Sequence, residues 1–280
     1  MPRIALDEDV GRAGDGCGKD RRVLLRYVTA GASLARSACG AALPLGTHAD
    51  GNALRASYRA GVVDRLLRPV KARALSPLSA ALARHLGCAG ASRLTLLGLL
   101  VGLAAAAAAA LGAFAWALGL WLANRLLDGL DGEVARRLHT AGDRGGYLEL
   151  MADLVVYVTL PLGAAAGATG LLGAEALVTS PWTWPLAALL LASYYVNLGS
   201  YALLAALLEK RGRGAAARGD PTSLVMPAGL IEGTETLLLV ALMLAFPTLL
   251  PFWFGLTAAL VALGAAQRTL WAARTLGSER

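Results

Sequence analysis

The chain has 280 residues, of which 56% are hydrophobic and only 16% charged, and its mean hydropathy is +0.56. That balance excludes an ordinary water-soluble globular domain and points to an integral membrane protein. The net charge of +7 does not mark a nucleic-acid binder. Fifteen of the 26 Lys and Arg precede Leu94 and the rest sit at the ends of apolar runs, the charge pattern of membrane topology.

In chain order, residues 1–60 mix Gly, Ala, Arg and Asp without a sustained period and read as a mobile N-terminal cytoplasmic extension. The first 25 residues are polar and charged, so no signal peptide is expected. Cys17, Cys39 and Cys88 lack metal-ligand spacing and precede the first apolar run, so no disulfide framework is expected. Residues 61–92 form a juxtamembrane region. From Val62 to Leu86, apolar residues recur at mostly helical spacing, with Arg65, Arg68, Lys71 and Arg73 among them and a break near Ser76-Pro77. This is the pattern of an amphipathic interfacial helix, or of one packed on the bundle.

Six apolar runs follow, near residues 94–112, 114–134, 146–171, 183–208, 224–247 and 252–273. A span needs about 20 residues. The expected fold is therefore all-α and polytopic, with six transmembrane helices filling residues 93–276. Turn chemistry separates the runs at Gly112, the Gly142 to Gly146 loop, Ser180-Pro181, Gly212 to Pro221, and Pro247 to Pro251. Lys and Arg fall on one side only: the N-terminal region, Arg136, Arg137 and Arg144, then Lys210, Arg211, Arg213 and Arg218, and finally Arg268, Arg274 and Arg280. The positive-inside rule places both termini in the cytoplasm.

Four acids lie between apolar runs: Asp128, Asp131, Glu149 and Asp153. Carboxylates at membrane depth are costly and mark functional sites. Asp128 and Asp131 are three apart, Glu149 and Asp153 four apart, so each pair shares a helical face. Two such helices side by side bring four carboxylates to one point. A divalent cation relieves their repulsion, and hard oxygen ligands suit one or two ions of Mg²⁺ or Mn²⁺. No His or Cys lies among the acids to make a zinc site. On the predicted topology the cluster sits at the cytoplasmic interface, open to a soluble alcohol and to a lipid.

The residues themselves carry a resemblance. Asp128-x-x-Asp131-Gly132-x-x-Ala135-Arg136, eight residues, then Gly145-x-x-x-Glu149-x-x-x-Asp153, resembles the signature of the CDP-alcohol phosphotransferases, D-x-x-D-G-x-x-A-R, eight residues, G-x-x-x-D-x-x-x-D. One fixed position departs: Glu149 stands where the family has Asp. It carries the same ligand atoms one methylene further out, and weakened or altered activity is the other meaning of the change. The resemblance implies an enzyme that moves a substituted phosphate, such as a phosphatidyl group, from a CDP-alcohol to an acceptor alcohol with release of CMP, in phospholipid synthesis. It implies metal ligation by Asp128, Asp131, Glu149 and Asp153, with Asp153 also the general base. It assigns Gly132, Ala135, Arg136, Gly145 and Thr95 to the CDP moiety. Thr95 resembles the Thr after Pro-Asn-x-x in many members, although Ala91 and Ser92 replace Pro and Asn. It also implies a homodimer in a bacterial inner membrane.

Other polar residues within the runs are candidates for the acceptor pocket. These are Asn197, Glu232, and Arg125, which could instead pair with Asp128 one turn on. Interhelical hydrogen bonds are the structural explanation for Asn197. Two other functions share acids with membrane spans: an intramembrane prenyltransferase acting on a diphosphate, and a polytopic cation transporter. Metal-dependent CMP release separates the three.

Overall fold

The apolar runs fold as helices, and their turn residues end them. The computed structural model describes residues 76–85, 90–212 and 233–277. Beyond a helical segment over residues 76–85, the helices among the described residues are α1 (Gly90–Ala110), α2 (Phe114–Arg137), α3 (Asp143–Ala168), α4 (Thr183–Lys210), α5 (Gly233–Ala245) and α6 (Leu250–Gly277). A single 3₁₀ turn, Pro247–Leu249, leads into α6, and no strand occurs among the described residues. Residues 1–60, Glu232 and much of the 61–92 region lie outside the described residues.

Three helix ends share one device. Gly112 (φ +78°), His139 (φ +54°) and Gly170 (φ +70°) adopt the left-handed conformation just past α1, α2 and α3. At each, the next N–H bonds back five residues, as in Ala113 N–H to Ala108 O (2.9 Å), Thr140 N–H to Ala135 O (3.0 Å) and Leu171 N–H to Ala166 O (2.9 Å). These bonds satisfy carbonyls that the helix ends would otherwise leave bare. The loop expected over Gly142 to Gly146 is shorter than that: Gly142 caps α3, and residues 143–146 are its first turn. Asp143 there complements the helix N-terminus.

α1 packs against both α2 and α3, α4 packs along α6, α5 bridges α2 and α6, and α3 touches α4. The shared core gathers Trp121, Val156, Leu160, Leu190, Leu244, Leu250 and Phe254. A smaller cluster of Leu94, Leu130 and Val134 closes the charged end of α1 and α2. Leu82 and Ala83 of the helical segment over residues 76–85 pack on it. Arg137 Nη2 donates to Ser76 Oγ at 2.9 Å on the same side.

The outside is as apolar as the inside. Leu96, Leu100, Trp116, Leu126, Leu189, Leu203 and Phe252 are all exposed, and so much apolar surface marks contact with lipid. Four stretches among the described residues are long and apolar enough to cross a membrane: α1, α3, α4 and Pro247–Arg274. α2 is long enough, but the charges of its acidic stretch lower its apolarity, and α5 has 13 described residues. Multi-pass membrane architecture therefore stands on those four.

Small residues let α1 and α3 touch backbone to backbone. A methyl group added at Gly163 would meet the carbonyl of Ala106, and one at Gly167 the carbonyl of Ala109. Close approach through Gly is a standard membrane packing solution. Gly163→Val is expected to destabilise the protein by about 1–3 kcal/mol, read as a lower thermal midpoint in detergent. Gly119→Ala, at a position with open space around it, is expected to leave that midpoint unchanged or slightly raised.

Candidate active site

The site is built where α2 and α3 both lean on α1. Asn124, Asp128 and Asp131 follow one another at i, i+4 and i+7, so they share one face of α2. Glu149 and Asp153 share a face of α3. Thr95, Gly98 and Gly102 line the facing stripe of α1. The packing brings oxygens of Asp128, Asp131 and Glu149 within 4.8 Å of one another. They border a cavity of about 10 Å³ whose walls also include Thr95, Gly98, Asn124 and Asp153. That is room for about one water or one small ion.

Each acid has its own environment. Asp131 is 3% exposed, and both of its oxygens are held. Gly132 N–H donates to Oδ1 at 2.6 Å and Thr95 Oγ1–H to Oδ2 at 2.7 Å. Thr95 Oγ1 also lies 3.1 Å from Ala91 O, but its single proton favours the closer, charged acceptor. Asp128 and Asp153 are half-buried and share Arg125: Nη2 is 2.7 Å from Asp153 Oδ1, and Nη1 is 3.6 Å from Asp128 Oδ2. Glu149 is half-buried too, and its longer side chain still reaches the group.

The residues expected to meet the CDP moiety form an open margin beside the acids. Gly132 has only Arg136 Nη1 near the position of a missing methyl, at 3.6 Å, and Gly145 has open space there. Ala135 is half-buried. Arg136 is exposed and pairs with Glu133 at 3.0 Å, a surface contact weak enough to yield to a phosphate. Glu133 also pairs with Arg137 at 3.3 Å.

Of the acceptor-pocket candidates, Arg125 lies at the site, Asn197 lies elsewhere, and Glu232 is outside the described residues. Asn197 is absent from the cavity walls and accepts a hydrogen bond at Oδ1 from Arg268 Nη1 at 2.9 Å, joining α4 to α6. Ser200 Oγ accepts from the same nitrogen at 2.8 Å. Arg125 does lie at the site, where it contacts the Asp153 and Asp128 carboxylates, the Asn124 amide oxygen and the rings of Trp121 and Tyr157. Sequence reasoning missed Asn124, which is buried and donates from Nδ2 to Gly98 O at 2.8 Å. Its signal was present: a polar residue at intramembrane depth, one turn before Asp128 on the same face.

A helical membrane bundle with hard oxygen ligands gathered at one helix pair defines a class, and comparison with known proteins agrees. Residues 89–271 match the CDP-alcohol phosphatidyltransferase family, and the chain belongs to it. It is also 36% identical over 166 residues to the inner membrane protein YnjF of Escherichia coli (strain K12), a match covering 58% of this chain and 70% of that protein. The family transfers substituted phosphate groups from CDP-alcohols to alcohols and generally uses a divalent metal. Three convergent carboxylates around a small cavity fit such an ion.

The hydrogen bond from Thr95 fixes a buried carboxylate beside that cavity. Removing such an outer partner typically weakens metal binding by about 10–100-fold. Thr95→Val is therefore expected to weaken Mn²⁺ binding by roughly tenfold in a spin-resonance titration, and Asp131→Asn to abolish it.

Proposed function

We propose that the protein transfers a phosphatidyl-type group from a CDP-linked lipid such as CDP-diacylglycerol to a small alcohol, releasing CMP, as a step of phospholipid synthesis. The observation that carries this reading is the gathering of Asp128, Asp131 and Glu149 beside Asp153 and next to an open Gly132–Ala135–Arg136 margin. Family membership sets aside the prenyltransferase and the cation transporter.

In this reading Asp128, Asp131, Glu149 and Asp153 would hold one or two ions of Mg²⁺ or Mn²⁺. The metal, when bound, neutralises charge on the diphosphate oxygens and on the departing CMP phosphate. Gly132 and Gly145 leave space for the nucleoside, and Arg136 leaves Glu133 to hold the diphosphate. The acceptor oxygen attacks the phosphorus that carries the lipid alcohol. As that bond forms, the bond from this phosphorus to the CMP oxygen breaks. The hydroxyl proton passes to the Asp153 carboxylate, which must lie within hydrogen-bond reach of it. Thr95 fixes Asp131 throughout. Asn197, Glu232 and Arg125 are the proposed acceptor-pocket residues.

The wider arrangement is proposed on the same basis. Six helices span the membrane, α2 and the helix containing α5 adding to the four apolar stretches. Both termini and the acids face the cytoplasm, a reading that the Lys and Arg distribution supports. Residues 1–60 are a cytoplasmic extension, residues 61–92 an amphipathic helix at the interface, and residues 93–276 the catalytic domain. The protein works as a homodimer in a bacterial inner membrane.

The test is CMP release by purified protein with CDP-diacylglycerol and Mg²⁺ or Mn²⁺ across a panel of acceptor alcohols. One acceptor is expected to support release, and Asp153→Asn to reduce it by about 100-fold or more. Folded, metal-loaded protein that releases no CMP with any acceptor would refute the proposed donor and reaction. Glu149→Asp, which restores the family residue, is expected to keep the activity.

A further inference from the structure

Asn124 is 3% exposed and lies one turn before Asp128 on the acidic face of α2. A buried amide needs partners for both its donor and its acceptor. Asn124 finds them in two different places. Nδ2 donates to Gly98 O of α1 at 2.8 Å, and Oδ1 accepts from Arg125 Nε at 2.8 Å. Only this orientation of the amide serves both neighbours. α1 is cut to admit it: a methyl group at Gly102 would lie 3.1 Å from Asn124 Nδ2, and one at Gly98 would lie 3.9 Å from it. The Arg125 guanidinium that Oδ1 holds lies over the rings of Trp121 at 4.6 Å and Tyr157 at 5.4 Å. Its Nη2 donates to Asp153 Oδ1 at 2.7 Å. A continuous chain therefore runs from the backbone of α1, through two side chains of α2, to an acid of α3.

We propose that Asn124 is a positioning residue: seated in the Gly98–Gly102 notch, it sets the Arg125 guanidinium, which in turn aims the Asp153 carboxylate at the cation and the acceptor hydroxyl. This rests on the roles proposed for Asp153 above, as metal ligand and as base. The guanidinium engages Oδ1, and Asp153 borders the same cavity as Asp128, Asp131 and Glu149. One oxygen is steadied while the carboxylate stays in the ligand group, the usual part of an outer hydrogen-bond partner at a metal. A guanidinium does this only if its plane is fixed, because its donors form a rigid planar fork. The two rings restrain its tilt, and Asn124 restrains its rotation within the plane by holding Nε. Without the amide, Arg125 keeps its charge but not its angle. Gly98 lies within α1, so its carbonyl keeps a helical partner when Asn124 is replaced.

The experiment is a double-mutant cycle of wild type, Asn124→Leu, Arg125→Met and Asn124→Leu/Arg125→Met. Leu has the branched shape of Asn without its hydrogen bonds, and it leaves the charge of the site unchanged. Mn²⁺ affinity is measured by spin resonance, and kcat and KM are measured from CMP release with CDP-diacylglycerol. Asn124→Leu is expected to weaken Mn²⁺ binding by about tenfold. Its kcat is expected to fall by about tenfold or more, while KM for the donor changes less than about threefold. In the Arg125→Met background the same substitution is expected to change Mn²⁺ affinity and kcat by less than about twofold, because the group it acts through is gone. A residue that only ties α2 to α1 costs the same affinity and kcat in both backgrounds, and that result would overturn the proposal. So would wild-type Mn²⁺ affinity or wild-type kcat in Asn124→Leu. If Asn124→Leu does not fold, Asn124→Ala replaces it in the same cycle. If wild type releases no CMP, the proposed reaction fails, and the Mn²⁺ cycle still decides whether Asn124 acts through Arg125.

Discussion

Everything in the acidic site depends on compensating four carboxylates gathered at the end of an apolar bundle. Like charges this close repel, and burial makes each costlier. The protein answers locally and from two helices, α1 and α2. The Gly132 N–H and the Thr95 hydroxyl hold both oxygens of Asp131, and the Arg125 guanidinium faces Asp153 and, at longer range, Asp128. Among the described residues no such partner joins all of the Asp128, Asp131 and Glu149 oxygens, which lie within 4.8 Å of one another and could hold a cation. α2 and α3 meet at this site because each packs on α1.

The packing behind the site serves this balance. Carboxylates on different helices converge only if the helices approach closely, and the small residues of α1 and α3 allow that approach. Gly163 and Gly167 lie directly against the backbone of α1, while Gly102 leaves space for Val156 and Asn124. In a bilayer, where apolar burial drives helix association little, such contacts supply packing and define register. Register matters because a helix displaced by one residue turns its polar face by about 100°. Asn124, Asp128 and Asp131 would then face lipid.

Much of this was legible in the sequence because it rests on periodicity and charge. The acidic spacing placed two pairs of carboxylates on two helical faces, and the glycine-marked breaks located the ends of α1 and α2 to within a few residues. The start of α3 was drawn too late because Gly145 and Gly146 look like loop residues, yet Gly142 caps the helix and they continue it. Glu149 was the doubtful position, and its extra methylene proves compatible with the acidic group. The role of Arg125 was not legible, because its partners come from α3 as well as from its own helix: Asp153 is 28 residues away and the Tyr157 ring 32. Sequence spacing sees only the neighbour on the same helix, Asp128, which is the weaker contact. Asn197 shows the same limit. Its bond to Arg268 links α4 to α6 across 71 residues, and no spacing along the chain shows it.

The central claim is that Asp128, Asp131 and Glu149 form one cation site shared by α2 and α3. The most direct measurement is anomalous diffraction at the manganese edge from crystals of the protein grown with Mn²⁺. The account predicts a peak bounded by oxygens of these three residues, at the roughly 2 Å separations of a small hard cation, and its disappearance in Asp128→Asn. A peak at other residues, or ordered protein with saturating Mn²⁺ and no peak between α2 and α3, would contradict it.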